Sequence, residues 1–405
     1  MFKNAAKSLW DYIRRADVIL WILLAAISAY SLILLKSVSR ATESNYFRTQ
    51  LLAVALGVGA AIIVSLIDYA EIANFWYLIA GFSIFLMIYT ALFGEEVTGG
   101  GGVNAKAWIN IAGRTFQSSE LVKIAFLITF SKHLDIVNKG GRIDEPLQLV
   151  LLGCHALVPV LLCVMQGDTG AAVVFFFMFL SMSLAAGVKF RYFAILLALV
   201  FAALPILWKY FLPEYQKDRF IALFNLDDPY VQMNGGYQQY QGRISIGSGK
   251  LHGQGLFEGS RVASNSVPFQ HSDYIFSVAG EELGFVGCAV LILLLFLFLM
   301  KLLHVAHSSR DEMGKYICFG FFGLVALQAV WNIGMCLALL PVMGITLPFF
   351  SAGGSSAACL YLGFGLVQSV YMRRKESDGF RLSRTKPMRF SYKQMKAMRE
   401  MKNKG

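Results

Sequence analysis

The chain has 405 residues, of which 57% are hydrophobic and 15% charged, and its net charge at pH 7 is +11. A mean hydropathy of +0.58 excludes an ordinary soluble domain and predicts repeated apolar runs long enough to cross a bilayer. We interpret the chain as an all-α integral membrane protein whose excess positive charge meets anionic headgroups rather than nucleic acid, because that charge is concentrated in a C-terminal tail.

Ten apolar segments of roughly twenty residues are predicted as membrane helices. In chain order they cover residues 18–35, 51–67, 76–93, 121–134, 147–165, 170–187, 193–212, 274–303, 316–340 and 349–372. The domain organisation that follows is a short segment 1–17, a membrane domain 18–372 that includes one large extracellular loop at 213–272, and a basic tail at 373–405.

The distribution of basic residues predicts the orientation. An even number of spans places both termini on one side, and 24 of the 36 Lys and Arg residues fall in segments on that side. Half of those 24 lie in the tail. Because short cytoplasmic loops are enriched in Lys and Arg, both termini are expected in the cytoplasm of a multi-pass protein of the cytoplasmic membrane.

Cysteine and histidine do not predict a metal site. The six cysteines lie in or beside apolar segments, and the six histidines are scattered without a metal-ligand spacing. We therefore expect neither an extracellular disulfide framework nor a tightly bound cofactor.

Several polar and ionisable residues open predicted spans at the outer face. Asp168 begins the sixth span, Asp273 begins the eighth, and Ser119, Glu120 and Lys123 open the fourth. Ionisable groups at membrane depth are costly unless they face a cavity or a partner, so their convergence predicts a site. Helix capping is the alternative for Asp168, Ser119 and Asp273, and Glu120 would also favour the positive end of a helix dipole.

Glu281 and Glu282 follow Asp273 by about two helical turns. At that depth, we expect one of them to pair with a basic side chain such as Lys123 or Arg243.

Two polar connections carry further candidates. Between the third and fourth spans, an amphipathic segment would place Trp108 among headgroups and leave Lys106 and Arg114 to meet phosphate, although solvated charges beside a belt tryptophan would have the same sequence. The 213–272 loop contains Arg219 and Arg243 and is predicted to contact substrate or a partner. Its stretch IGSGKLHGQG has the glycines of a phosphate cradle but lacks the preceding strand and the GK[ST] pattern.

The run SAGGSS at residues 351–356 is rich in small residues and is reached through Pro341 and Pro348. Small residues allow other groups to approach the backbone closely. The run therefore suits either substrate contact or tight helix packing, and the second use is common in membranes.

Five motifs together resemble one family. In order, they are NAKAWINIAGRTFQSSELVKI, QGDTGAA, GYQQYQGRISIGSGKLHGQG, HSDYIFSVAGEELGFVG and PVMGITLPFFSAGGSS. This order and spacing resembles the SEDS family, the RodA and FtsW proteins. The resemblance implies a ten-helix peptidoglycan glycosyltransferase that polymerises lipid II at the outer face of the membrane and works with a class B penicillin-binding protein. Elongation, division and sporulation roles stay open, with IGSGKLHGQG favouring RodA.

The resemblance also assigns residues. Asp273 matches the essential aspartate of the family, and its other motif positions fall on Trp108, Gln117, Ser119, Glu120, Lys123 and Asp168. The chain departs from the family pattern at Ser118, Gly167, Phe269 and Ala352.

A glycosyl transfer with inversion needs a base and a stabilised leaving group. Asp273 is the candidate base, and a divalent ion such as Mg or Mn, or a basic side chain, would neutralise the departing diphosphate. The predicted substrate contacts are Trp108, Arg114, Ser119, Glu120, Lys123, Asp168, Arg243, Ser351, Gly353, Gly354 and Ser355. A flippase for lipid-linked precursors and a noncatalytic scaffold are the alternatives.

Overall fold

The computed structural model describes residues 12–99, 103–111, 113–211 and 213–374. The first half of the chain forms α1 (Val18–Ala41), α2 (Tyr46–Leu66), α3 (Tyr69–Ala73), α4 (Trp76–Phe93), β1 (Glu95–Gly99), β2 (Val103–Ile111), β3 (Arg114–Gln117), α5 (Ser118–Lys139), α6 (Pro146–Met165) and α7 (Thr169–Ala185). The second half forms α8 (Phe190–Ile206), a π-helical turn (Leu207–Phe211), α9 (Glu214–Phe224), α10 (Pro229–Met233), α11 (Tyr237–Ser248), α12 (Ser260–Ala263), α13 (Ile275–His307), α14 (Glu312–Cys336) and α15 (Gly354–Met372). Most of the predicted basic tail, residues 375–405, lies outside the described residues.

Each predicted span coincides with a helix, and the fold is that of a polytopic helical membrane protein. Within the described ranges, seven helices are long and apolar enough to cross a bilayer. The other three predicted spans correspond to α7, which is shorter, and to α5 and α15, which fall outside that group of seven. The count of ten spans therefore stays a prediction.

Burial explains why α5 and α15 are less apolar. Most side chains of α5 and α15 are buried against other helices, whereas α8 has no buried residue. A helix enclosed by protein can carry polar groups that find partners there, while a helix facing lipid cannot. Helix α15 also packs closely on α2, because a Cβ at Gly57 would lie 2.6 Å from the Tyr361 ring.

The segment before α5 forms a small antiparallel sheet, which the sequence analysis did not predict; its placement among headgroups stays a prediction. Strand β2 pairs with both β1 and β3, and Trp108 lies opposite Glu95 and Gln117. The run VNAKAWINI alternates apolar and polar residues with few interruptions, a period of two that suits a strand. Asn110 and Gly113 form the turn into β3. The Asn110 side-chain oxygen accepts a hydrogen bond from the amide of Gly113, and Gly113 has a φ of +81°, a conformation that favours glycine.

Helix α13 is interrupted at Gly284, where φ is +65° and ψ is −160°. The interruption frees backbone groups that must find partners within the protein. The glycine-rich stretch after α11 supplies them through four hydrogen bonds: Gln254 N to Glu281 O (2.9 Å), Gly255 N to Glu282 O (3.1 Å), Phe285 N to Lys250 O (2.9 Å) and Val286 N to Leu251 O (3.2 Å). The glycine-rich stretch whose sequence resembled a phosphate cradle therefore completes the hydrogen bonding of α13 at its interruption.

Close packing explains the glycines of this stretch. A Cβ at Gly249 would overlap the carbonyl oxygen of Gly280, whereas a Cβ at the neighbouring Gly247 would meet no atom within 4 Å.

We predict that Gly249→Ala lowers the free energy of unfolding by about 1–3 kcal/mol, because the added methyl group must displace backbone of α13. Gly247→Ala is the matched control, and we expect it to be neutral or slightly stabilising because Ala favours a helix over Gly. Thermal unfolding of both variants in detergent measures the difference. Equal melting temperatures would contradict the packing of the stretch against α13.

Candidate functional site

Asp273 lies immediately before α13 and does not cap it. The capping position belongs to Tyr274, and no side chain caps this helix. The capping alternative for Asp273 is therefore wrong. Its carboxylate is free for another use, and within the described part of the chain it has no ion-pair partner closer than 4.0 Å.

A buried amide fixes the backbone of this aspartate. The Asn332 side chain of α14 donates one hydrogen bond to the carbonyl oxygen of Asp273 and another to that of Ile345, both at 2.8 Å. Asn332 is fully buried. It therefore joins the Asp273 segment to the irregular segment between α14 and α15, a role that the sequence analysis did not assign.

The SAGGSS run lies against the same segment. The Ser351 hydroxyl donates to the carbonyl oxygen of Ser272 at 2.6 Å and accepts from the amide of Leu347 at 2.8 Å. The amide of Ala352 donates to the carbonyl oxygen of His271 at 2.8 Å. The run thus supports the backbone on both sides of residue 272.

The remaining small residues of this run have different surroundings. The amide of Gly353 is 3.3 Å from the side-chain oxygen of Gln50. Gly354 and Ser355 begin α15, where Gly354 is exposed and Ser355 half-buried. Their contact with substrate stays a prediction.

The electrostatic environment of Asp273 includes a residue that we did not place in the site. Burial raises the pKa of Asp273 to about 6, although the Arg219 guanidinium and the Ser272 hydroxyl lower it. Arg219 belongs to α9 and donates to the carbonyl oxygen of Val342 at 3.1 Å. Its sequence position, inside a polar loop with other basic residues, carried no signal that would distinguish it from Arg243.

Asp168 organises a second cluster. Its carboxylate accepts from the amide of Ala171 at 3.0 Å, so the predicted cap of α7 is present. The same carboxylate accepts from Gln117 at 2.8 Å and from the Ser119 hydroxyl at 2.9 Å. The capping alternative expected Ser119 to cap α5, and it does not. Its hydroxyl donates to the Asp168 carboxylate instead.

Glu120 and Lys123 form an ion pair of 2.8 Å whose two side chains are 7% and 2% exposed. Glu120 lies in the first turn of α5, where a carboxylate also favours the helix dipole. A pair this deeply buried has a structural role, because removal of one partner would leave an uncompensated charge. Contact between Lys123 and a diphosphate stays a prediction.

The two clusters meet at the segment between α14 and α15. A Cβ at Gly170, two residues after Asp168, would lie 3.0 Å from the Ile345 side chain, and the carbonyl of Ile345 accepts from Asn332. A Cβ at Gly344, whose φ is +65°, would lie 3.8 Å from the Asp273 carboxylate. The structure thus brings Asp168 and Asp273 to the same region of the fold.

Three further predicted contacts lie on other elements of the fold. Trp108 is half-buried in β2, Arg114 begins β3, and Arg243 is exposed on α11. They stay candidates for contact with a bound substrate.

The expected pairing of Glu281 or Glu282 with Lys123 or Arg243 is wrong. Glu281 accepts from the backbone amides of Arg261 at 2.6 Å and Val262 at 3.3 Å, and Glu282 accepts from the Ser37 hydroxyl. Lys123 pairs with Glu120 instead. One oxygen of each carboxylate is thus held by the short helix α12 or by α1, while the second oxygens, Glu281 Oε2 and Glu282 Oε2, are buried without a hydrogen-bond partner among the described residues.

The described residues contain no group of three or more His, Cys, Asp and Glu side chains that could hold a metal ion. A divalent ion at the site therefore stays a prediction.

Comparison with known proteins identifies the family. The peptidoglycan glycosyltransferase MrdB of Escherichia coli K12 is 30% identical over 374 residues, which cover 91% of this chain and 96% of that protein. A probable peptidoglycan glycosyltransferase FtsW of Geobacter metallireducens is 30% identical over 379 residues, or 90% and 96% of the two chains. The sequence model of the cell cycle protein family FtsW, RodA and SpoVE matches residues 14–376. The chain belongs to this family.

Solved structures agree with this assignment. A chain from a peptidoglycan synthase complex that coordinates polymerization and crosslinking superposes with a TM-score of 0.74 at 28% identity, covering 89% of this chain and 99% of that one. The rod shape determining protein RodA of Thermus thermophilus superposes with a TM-score of 0.66 at 27% identity, covering 89% and 98%.

We predict that the Glu120–Lys123 pair is coupled in stability. Lys123→Met or Glu120→Gln alone should lower the free energy of unfolding by about 3–5 kcal/mol, and the double variant should recover part of that loss because no buried charge is left unpaired. Thermal or denaturant unfolding measures the cycle. The matched control is Lys217→Met, which breaks the Lys217–Glu214 pair at the same spacing but with an exposed partner, and should cost less than about 1 kcal/mol. Additive effects of the two buried substitutions would contradict the coupling.

Proposed function

We propose that this chain, a peptidoglycan glycosyltransferase of the RodA and FtsW family, polymerises lipid II at the outer face of the membrane with Asp273 as the general base. The observation that carries this assignment is the state of the Asp273 carboxylate. It caps no helix, and burial raises its pKa to about 6. A base with a pKa close to the working pH is both deprotonated and able to accept a proton.

The proposed reaction is an inverting displacement. The 4-hydroxyl of the acceptor sugar attacks the anomeric carbon of the donor, Asp273 accepts the hydroxyl proton, and the bond from the anomeric carbon to the diphosphate oxygen breaks on the opposite face. The leaving group departs as a lipid diphosphate, whose negative charge requires nearby cations. Arg219 is a candidate for this purpose, because its charge already acts on Asp273.

The other predicted cations differ in availability. Arg243 is exposed and could turn toward a substrate, whereas Lys123 is held by Glu120. A divalent ion, if one takes part, would supply further positive charge to the diphosphate. We give the larger share of leaving-group stabilisation to Arg219.

A class B penicillin-binding protein is the proposed partner. The support is the similarity to a chain of a peptidoglycan synthase complex that couples polymerization to crosslinking. Outward-facing apolar side chains are abundant on α4 and α8, so helical partners could pack there within the membrane.

We predict that both termini are cytoplasmic and that the segment 213–272 faces outward, because 24 of the 36 basic residues would otherwise lie outside. A cysteine-free variant with one reporter cysteine at Ser264, an exposed residue of that segment, should react with an impermeant thiol reagent in intact cells. Protection until the cells are lysed would contradict this orientation.

We predict that Asp273→Asn abolishes polymerisation of purified lipid II while the melting temperature changes little, because the amide has nearly the same shape but cannot accept a proton. The matched control is Asp218→Asn, which alters an exposed carboxylate on α9 and should keep full activity. Both variants are compared with and without a cognate class B partner. Full turnover by a folded Asp273→Asn protein would rule out the base assignment and leave a transport function open.

We predict that the pH dependence of kcat/KM reports the Asp273 environment. Activity should rise with pH through about 6, because the base must lose its proton. Arg219→Gln removes a cation that lowers this pKa, so its rising limb should move to higher pH, whereas Arg219→Lys should keep it near the original position. Lys217→Gln on the same helix is the control. An unshifted limb in Arg219→Gln would contradict the electrostatic role of Arg219.

A further inference from the structure

A pocket of about 370 Å³ lies at the connection between α1 and α2. Its lining includes four charged residues, Lys36, Arg40, Glu43 and Arg48, and the amide side chain of Asn45. We call it the basic pocket. Its volume lies within the range of small-molecule sites, and none of the residues assigned above to Asp273, Asp168 or Lys123 lines it.

The charges of the basic pocket are unbalanced. It contains three cations and one carboxylate, and in the part of the chain that the structure describes none of these four side chains makes an ion pair within 4.0 Å. The guanidinium of Arg40 lies 5.1 Å from the centre of the Phe257 ring, which restricts it without neutralising it. Three cations that converge on one concave surface produce a positive potential that attracts an anion.

The backbone that carries these charges is fixed. The Thr42 hydroxyl donates to the carbonyl oxygen of Val38 at 2.8 Å, and the amide of Phe47 donates to the Ser39 hydroxyl at 2.8 Å. Glu43 adopts a φ of +51° at the turn. These contacts hold the end of α1 and the start of α2 in one arrangement, so an anion would meet a partly preorganised site.

The basic pocket adjoins the candidate active site. Asn45 lines it and precedes Tyr46, whose ring stacks on His271 with centroids 3.9 Å apart. His271 lies two residues before Asp273. In the predicted orientation this end of α1 is on the outer side of the membrane. Lys and Arg are less frequent on that side than in cytoplasmic loops. A cluster of three cations there therefore indicates a function such as anion binding.

Apolar side chains continue below the charges. Ile33 is exposed one turn before Lys36 on α1, and Leu51 and Leu52 are exposed one turn after Arg48 on α2. A phosphate held by the cations would therefore lie at the headgroup level, with space for an attached hydrocarbon chain along these residues. This combination suits a lipid better than a free anion.

We propose that the basic pocket binds the phosphate group of a membrane lipid. Arg40 and Arg48 would donate charge-assisted hydrogen bonds to its oxygens, and Lys36 would add a further positive charge. In the proposed reaction the donor and the acceptor each carry a lipid diphosphate, so a second phosphate position is needed beside the one that receives the leaving group. The assignment of the basic pocket to the acceptor lipid rests on the proposed function. The binding of a lipid phosphate in the pocket does not.

Native mass spectrometry of the delipidated full-length protein tests the proposal without measuring turnover. The protein in non-ionic detergent is titrated with undecaprenyl diphosphate in one arm and with phosphatidylglycerol in the other. The variants are Arg40→Gln/Arg48→Gln and, as the matched control, Lys250→Gln, which removes an exposed cation whose side chain makes no ion pair within the described residues. Lys36→Gln alone serves if the double variant does not fold.

At saturation, we expect the wild type and Lys250→Gln to bind one more lipid molecule per chain than Arg40→Gln/Arg48→Gln, and occupancy in Lys36→Gln to be reduced. A loss seen in both arms assigns the pocket to phosphate headgroups in general, and a loss confined to undecaprenyl diphosphate assigns it to substrate. Unchanged stoichiometry in the double variant, or an equal loss in Lys250→Gln, would overturn the proposal. Because no turnover is measured, failure of the glycosyltransferase assignment would leave this result unaffected.

Discussion

Irregular backbone inside a membrane protein must find hydrogen-bond partners within the protein, since the bilayer supplies none. Two irregular segments meet this requirement largely through each other: the one that ends at Asp273 and the one between α14 and α15. Asn332 bonds to a carbonyl in each, Ser351 bonds to Ser272, and Ala352 bonds to His271. These hydrogen bonds hold the backbone of residues 271–273. The position of the Asp273 carboxylate therefore depends on its backbone rather than on bonds of the carboxylate itself.

Hydrogen bonding also distinguishes Asp273, the candidate base, from the carboxylates of Asp168 and Glu120. Asp168 accepts three hydrogen bonds and Glu120 pairs with Lys123, so their charges are satisfied before any substrate arrives. Asp273 makes no ion pair within the described residues, and burial raises its pKa more than the Arg219 guanidinium and the Ser272 hydroxyl lower it. A carboxylate whose pKa is shifted by burial and by a nearby cation is typical of a functional group.

The sequence predicted the helices well because lipid-facing helices need long apolar runs, and those runs are visible one segment at a time. The capping alternative for Asp168 could be recognised for the same reason, since a cap is a local feature. The sheet was missed because its alternation in VNAKAWINI is short and was interpreted as interfacial. The glycine-rich stretch was linked to phosphate because nothing local shows that Gly284 interrupts a distant helix. Arg219 and Asn332 were missed because only the tertiary fold brings them to Asp273.

The central claim is that the half-buried Asp273 carboxylate is available to accept a proton, and its protonation can be observed directly. Infrared difference spectra between wild-type protein and Asp273→Asn, both labelled with carboxyl-13C aspartate, isolate the band of the Asp273 carboxylate from those of the other aspartates. The account predicts that this band titrates with a midpoint of about 6. A midpoint near that of an unperturbed aspartate, about 3.9, would contradict it.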